Sequence, residues 1–223
     1  MAESRKREIP SGLKQLLDAD VKMSKEFVEF VNKKYPSSVF RTYYKQLEVC
    51  RDFFLHFFIE KLKVSCHGIP WLFIAIAGLY TFSSAFFFNL LLALLLDIAV
   101  VAVIKAFTRR RRPAYNVDDQ YATVNMVDKF SFPSGHSTRA VMLVSILVLV
   151  SPVTMLLWPV LIVWSGAVCV SRVLLGRHHI LDVVAGVVIG VVQALVMGVL
   201  WRSEEQTKYL MSLLGDEDPW SSA

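Results

Sequence analysis

Charge and cysteine are both scarce in this sequence. Only 19% of its 223 residues are Asp, Glu, Lys or Arg, against about 25% in an ordinary soluble domain. That shortage argues against a soluble globule, which needs a charged shell around its single core. The three cysteines, Cys50, Cys66 and Cys169, are an odd count with no CxxC spacing, so neither a disulfide framework nor a cysteine-rich zinc site is expected. The opening stretch MAESRKREIPSGLKQ lacks an apolar core. No cleavable signal peptide is therefore expected, and the first spanning helix acts as the anchor. Acidic clusters suited to a metal are missing as well. The net charge of +5 is modest, and its lysines and arginines gather in the N-terminal fifth and in one four-arginine run. This pattern suits anionic lipid or phosphate and argues against a nucleic-acid partner.

What is abundant is apolar mass, 55% of the residues. It is arranged in blocks at about 69–84, 86–107, 137–151, 154–175 and 179–201. A spanning helix takes roughly 20 residues, so the expected fold is all-α, a polytopic transmembrane helical bundle with five good spans. A sixth, 43–64, is open because Arg51, Asp52, His56 and Glu60 interrupt it. Residues 12–34 place Leu13, Leu16, Leu17, Val21, Phe27, Val28 and Val31 at helical spacing. This fits either an in-plane helix at the membrane surface or a helix packed on the protein itself. The expected organisation is a basic N-terminal segment (1–42), a membrane-embedded domain (43–202) and a polar tail (203–223). Should 43–64 span, both termini fall on the membrane face opposite the longest polar loop, 108–135.

Following the chain through the bilayer brings three polar clusters to one membrane face. They are Lys105 to Pro113, Pro133-Ser134-Gly135-His136, and Ser171-Arg172 followed by His178 and Asp182. Lys105, Arg112 and Arg172 are cations at the mouths of separate helices, and arginine's forked donors match phosphoryl oxygens. Ser134, Gly135 and His136 open a helix, where free N–H groups and the helix dipole favour an anion. His178 and Asp182, four residues apart, share a helix face, so the carboxylate is expected to accept an imidazole N–H and free the other nitrogen to attack phosphorus. His136, from another helix, is placed to protonate the departing oxygen.

These residues form Lys-x6-Arg-Pro, Pro-Ser-Gly-His and Ser-Arg-x5-His-x3-Asp, complete and in order, and the sequence resembles the PAP2 (type 2 phosphatidic acid phosphatase) superfamily. The resemblance implies a metal-independent phosphatase without cofactor, acting on a lipid phosphate or diphosphate. In it His178 is the nucleophile, His136 the acid, Asp182 the support of the nucleophile, and Lys105, Arg112, Ser134, Gly135 and Arg172 the phosphate holders. LLLDIAVVAVIKAFTRRRRPAYN, DKFSFPSGHSTRA and HGIPW look most like the branch of presqualene and polyisoprenoid diphosphate phosphatases, which implies endoplasmic-reticulum or nuclear-envelope membranes. A phosphatase for a soluble ester and a catalytically silent membrane scaffold are the rival readings.

The remaining polar residues receive plainer readings. Arg109, Arg110 and Arg111 read as a solvated basic run, His179 as a bystander, and Gly186 with Gly190 as a small-xxx-small contact for close helix packing. Asp97 stands inside an apolar run, where a carboxylate needs a partner. Helix geometry brings Arg139 within reach, so an Asp97–Arg139 pair beneath the pocket is expected to brace the helix carrying His136. Gln193 is the alternative partner for Asp97, and the substrate the alternative for Arg139.

Overall fold

A computed structural model of the chain describes residues 10–34, 65–113, 130–149 and 155–213, and the undecided stretch 43–64 lies outside them. Among the described residues every regular element is helical. Helix α1 is Ser11–Lys34, α2 Gly68–Phe82, α3 Ala85–Thr108, α4 Gly135–Leu149, α5 Trp158–Leu174, α6 Ile180–Leu200 and α7 Glu204–Ser212. The apolar blocks thus become α2 to α6. Three stretches, Ala85–Thr108, Met155–Leu174 and Ile180–Leu200, are long and apolar enough to cross a membrane. The α2 and α4 helices are apolar but have 15 residues each, so they rise only about 22 Å against the roughly 30 Å of a bilayer's hydrocarbon.

Local chemistry sets the helix ends. Ser84 Oγ accepts the Phe86 N–H at 3.2 Å and opens α3, while Pro159 in the first turn of α5 costs no hydrogen bond there. Between α5 and α6, Gly176 takes φ 65°, a left-handed conformation that glycine adopts without penalty. The turn lets the N–H groups of Arg177 and His178 both donate to the Arg172 carbonyl, at 3.2 and 3.3 Å.

The helices pack around Leu90, Ala93 and Leu94 of α3, Met142, Leu143 and Ile146 of α4, and Ala194 and Met197 of α6. Phe73, Ile76, Val103, Phe107, Val163 and Val199 point outward and stay exposed, which fits a surface solvated by lipid. The α4 and α6 helices approach at the two glycines. A Cβ on Gly186 would lie 3.0 Å from the Ser134 carbonyl oxygen, and one on Gly190 2.5 Å from that of Thr138. These glycines have the close-packing role expected of them.

Contacts at both ends make α3 and α6 antiparallel. At one end Glu204, just past α6, accepts the Ala85 N–H at the start of α3, at 3.1 Å, and the Asn89 side chain binds the Arg202 backbone. At the other end Arg110, just past α3, reaches Asp182 in the first turn of α6.

The α1 helix sits at this second end, the end of the polar clusters and not the opposite face. It docks by Asp20 and Ser24, both fully buried, and by Val28 against Val173 and Val183. Meanwhile Leu13, Leu16, Val21 and Phe27 remain exposed. The helix is packed on the protein, through a polar patch beside its apolar stripe.

Candidate active site

The ends of α3, α4, α5 and α6 converge at this mouth. Lys105 stands in the last turn of α3 and Arg172 in that of α5, both buried, as is His178 in the α5–α6 turn. Arg112 follows α3, Ser134 and Gly135 start α4, His136 is the second residue of α4, and Asp182 the third of α6. Hydrogen bonds tie the segments together. The Ser134 N–H donates to the Asp182 carbonyl at 3.0 Å, and the Thr108 hydroxyl lies between the Ile104 and Phe132 carbonyls, at 2.8 and 3.2 Å. The Ser134 N–H is thereby occupied, which leaves the first-turn N–H groups of Gly135 and His136 as main-chain donors for an anion.

His178 Nδ1 lies 2.7 Å from the Ser131 carbonyl oxygen. A carbonyl only accepts, so Nδ1 carries the proton and the neutral ring presents its lone pair at Nε2. Burial pushes the His178 pKa down to about 3, with the charges of Lys105 and Arg112 adding to the effect against the pull of Asp182. The imidazole is therefore a neutral base at pH 7.

Here the structure corrects one expectation. Asp182 Oδ2 is 3.9 Å from His178 Nδ1, beyond hydrogen-bond range, so the Ser131 carbonyl fixes the tautomer and Asp182 acts only through its field. The carboxylate is already engaged elsewhere. It accepts the His179 N–H at 2.8 Å, faces His179 Nδ1 at 3.3 Å and pairs with Arg110 at 2.6 Å. His179 is thus a buried partner of Asp182 and no bystander.

Arg110 is a second correction. Arg109 and Arg111 are exposed, as a solvated run should be, but only 12% of the Arg110 side chain is exposed. Its two terminal nitrogens reach Asp182 and Asp20 at 2.6 and 2.7 Å. The sequence carries one faint signal of this. Asp20 and Ser24, four residues apart, share one face of α1 beside its apolar stripe, so a carboxylate and a hydroxyl stand together there.

Arg172 and His178 lie within electrostatic reach of His136. The His136 Nε2 atom is buried and has no hydrogen-bond partner among the described residues. Such an atom is costly unless something fills its place. The helix behind it is tied down: Arg139 Nη2 lies 2.8 Å from Asp97 Oδ2, and Nη1 donates to the Cys66 carbonyl at 3.2 Å. The Asp97–Arg139 contact is the one helix geometry called for, and Gln193 does not take its place. Cys66 Sγ donates to the His136 carbonyl at 3.1 Å. Burial pushes the Cys66 thiol up to about 12, so it is a packing group with no thiolate to offer.

Comparison with known proteins identifies the family. The PAP2 superfamily profile matches residues 86–205, more than half of the chain. "Probable lipid phosphate phosphatase beta" of Arabidopsis thaliana is 33% identical over 136 residues, with 50% of this chain and 63% of that protein covered. The chain thus spans just under two thirds of that relative's length. No solved structure matches.

Proposed function

Because the chain belongs to the PAP2 superfamily, we propose that it is an integral-membrane lipid phosphatase working through a phosphohistidine. The observation that carries this reading is the buried, neutral His178, with Nδ1 spent on the Ser131 carbonyl and Nε2 left to attack. Its name as a lipid phosphate phosphatase makes the Arabidopsis relative a second support.

In the first step Nε2 of His178 attacks phosphorus, the bond to the leaving oxygen breaks, and His136 gives that oxygen a proton. The ring then carries the phosphoryl group and a positive charge, which the Ser131 carbonyl and the Asp182 field stabilise. Water attacks phosphorus next, His136 takes its proton, and the electron pair of the N–P bond returns to Nε2. Throughout, Lys105, Arg112 and Arg172 offset the charge on the equatorial oxygens.

Lipid substrates follow from location, since a pocket built on helix mouths is open to a headgroup whose tail stays in the bilayer. Within that class we favour isoprenoid diphosphates, supported by the HGIPW, KAFTRRRRPAYN and DKFSFPSGHSTRA stretches. The same resemblance supports endoplasmic-reticulum or nuclear-envelope membranes. Purified full chain in detergent, assayed against phosphatidic acid, farnesyl diphosphate, presqualene diphosphate and a sugar phosphate, tests the proposal. Release from the lipids with an acid-labile phosphoenzyme is expected. Release from the sugar phosphate alone, or from nothing, overturns it in favour of a soluble-ester phosphatase or a silent scaffold.

A further inference from the structure

The catalytic steps use neither Arg110 nor α1, yet the two are joined to the site by several short contacts. Asp20 comes from outside the stretch matched by the family, and both it and Asp182 are fully buried. One guanidinium lies between them, with a separate nitrogen for each carboxylate. This is the forked geometry for which arginine is suited and lysine is not.

The other oxygen of Asp20 accepts the Leu181 N–H at 3.0 Å, and Ser24 Oγ accepts the Ile180 N–H at 2.9 Å. Those two donors belong to the first turn of α6, which no residue within that helix can satisfy. A helix whose Asp20 lies 161 positions before Leu181 therefore caps the helix that carries Asp182.

Arg110 also reaches the nucleophile along its main chain. Its carbonyl accepts the Ser131 N–H at 2.9 Å, and the Ser131 carbonyl is the group that holds His178 Nδ1 at 2.7 Å. Any shift of Arg110 displaces both the carboxylate near His178 and the carbonyl that orients it.

We propose that Asp20 is a positioning residue for the nucleophile, acting through Arg110 on Asp182 and Ser131. The inference rests on His178 being the attacking group. The oxygens of Asp20 are taken by Arg110, the Leu181 N–H and Ser24, and its charge divides the positive charge of Arg110 between two carboxylates. Without the Asp20 charge the guanidinium settles on Asp182 alone. It then weakens the negative field that the imidazolium needs once the phosphoryl group is attached.

The test uses the full chain in detergent with a short-chain phosphatidic acid, comparing wild type, Asp20→Asn, Asp182→Asn and the double variant. Asp20→Asn keeps an acceptor for Leu181 and should lower kcat about tenfold with KM and the melting midpoint nearly unchanged. In the Asp182→Asn background the same change should have little further effect, because both act along one chain of contacts. An additive loss, or a loss that only tracks the folded fraction, overturns the proposal.

Arg110→Lys is the second variant, should Asp20→Asn fold poorly. It should show the same kcat loss and make activity insensitive to residue 20. A spectroscopic arm separates this inference from the phosphatase reading itself. In ¹⁵N-histidine-labelled protein, the His178 Nδ1 resonance, assigned by its loss in His178→Gln, should move in Asp20→Asn. A resonance that stays in place overturns the proposal even if the wild type releases no phosphate.

Discussion

Arg110 at the mouth and Arg139 inside α4 are both largely buried arginines held by buried aspartates, yet they are built differently. Arg110 lies just beyond a helix end and bridges two carboxylates that come from α1 and α6. Arg139 sits on a helix, has one carboxylate and one carbonyl, and lies against the Gly68 backbone, where a Cβ would come within 3.3 Å of the guanidinium carbon. On the proposed reading the first arrangement serves the nucleophile and the second the acid. The nucleophile stands in a turn, so charge and hydrogen bonds must hold it. The acid stands on a packed helix and needs only that the helix stay put.

The sharpest way to break this comparison is at the nucleophile. His178→Gln should abolish the acid-labile phosphoenzyme and lower turnover by about 10⁴-fold or more, while the protein still folds. Phosphoenzyme formation from labelled lipid phosphate checks it, and near-normal turnover removes the nucleophile from the comparison.

Next in size is the deep pair. Asp97→Ala strands Arg139 without its carboxylate and should destabilise the protein by about 3–5 kcal/mol. The double change Asp97→Ala with Arg139→Met should recover much of that loss. Asp20→Asn should cost less stability than Asp97→Ala, because Arg110 keeps Asp182. Thermal midpoints in detergent give all three, and equal losses at Asp20 and Asp97 erase the contrast between shared and single pairing.

A smaller effect belongs to the packing that carries the acid. Gly190→Ala puts a methyl 2.5 Å from the Thr138 carbonyl oxygen, and forcing α4 and α6 apart should cost about 1–3 kcal/mol. If the acid depends on helix placement, kcat should fall along with the midpoint.

The smallest effect is one of pH. His178 has a folded pKa of about 3 against about 6.5 in an unfolded chain. Above pH 6.5 neither state binds the proton. Between 6.5 and 3 only the unfolded chain binds it, so stability falls as pH falls. Moving from pH 7 to 5.5 should cost wild type about 1 kcal/mol more than His178→Gln. Equal losses in the two proteins mean the imidazole is not held neutral.

The amino-acid sequence by itself determined the helices α1 to α6, the meeting of three polar clusters at one face and the Asp97–Arg139 pair; α7, in what read as a polar tail, it did not announce. These follow from local pattern, because an apolar or amphipathic run becomes a helix, and helix geometry then dictates depth and facing. The glycine contact between α4 and α6 was legible for the same reason. Other features were decided only by tertiary structure. Ser131 orients His178 through a main-chain carbonyl, and every residue carries one, so no residue type announces it. Asp182 turns to Arg110 and the His179 N–H because they reach it at 2.6 and 2.8 Å, while the imidazole four residues away stays at 3.9 Å. Arg110 looks like its exposed neighbours in the arginine run until α1 docks beside it. The pairing of Asp20 with Arg110 spans 90 positions, and a contact between chain segments so far apart exists only once the fold has brought their ends together.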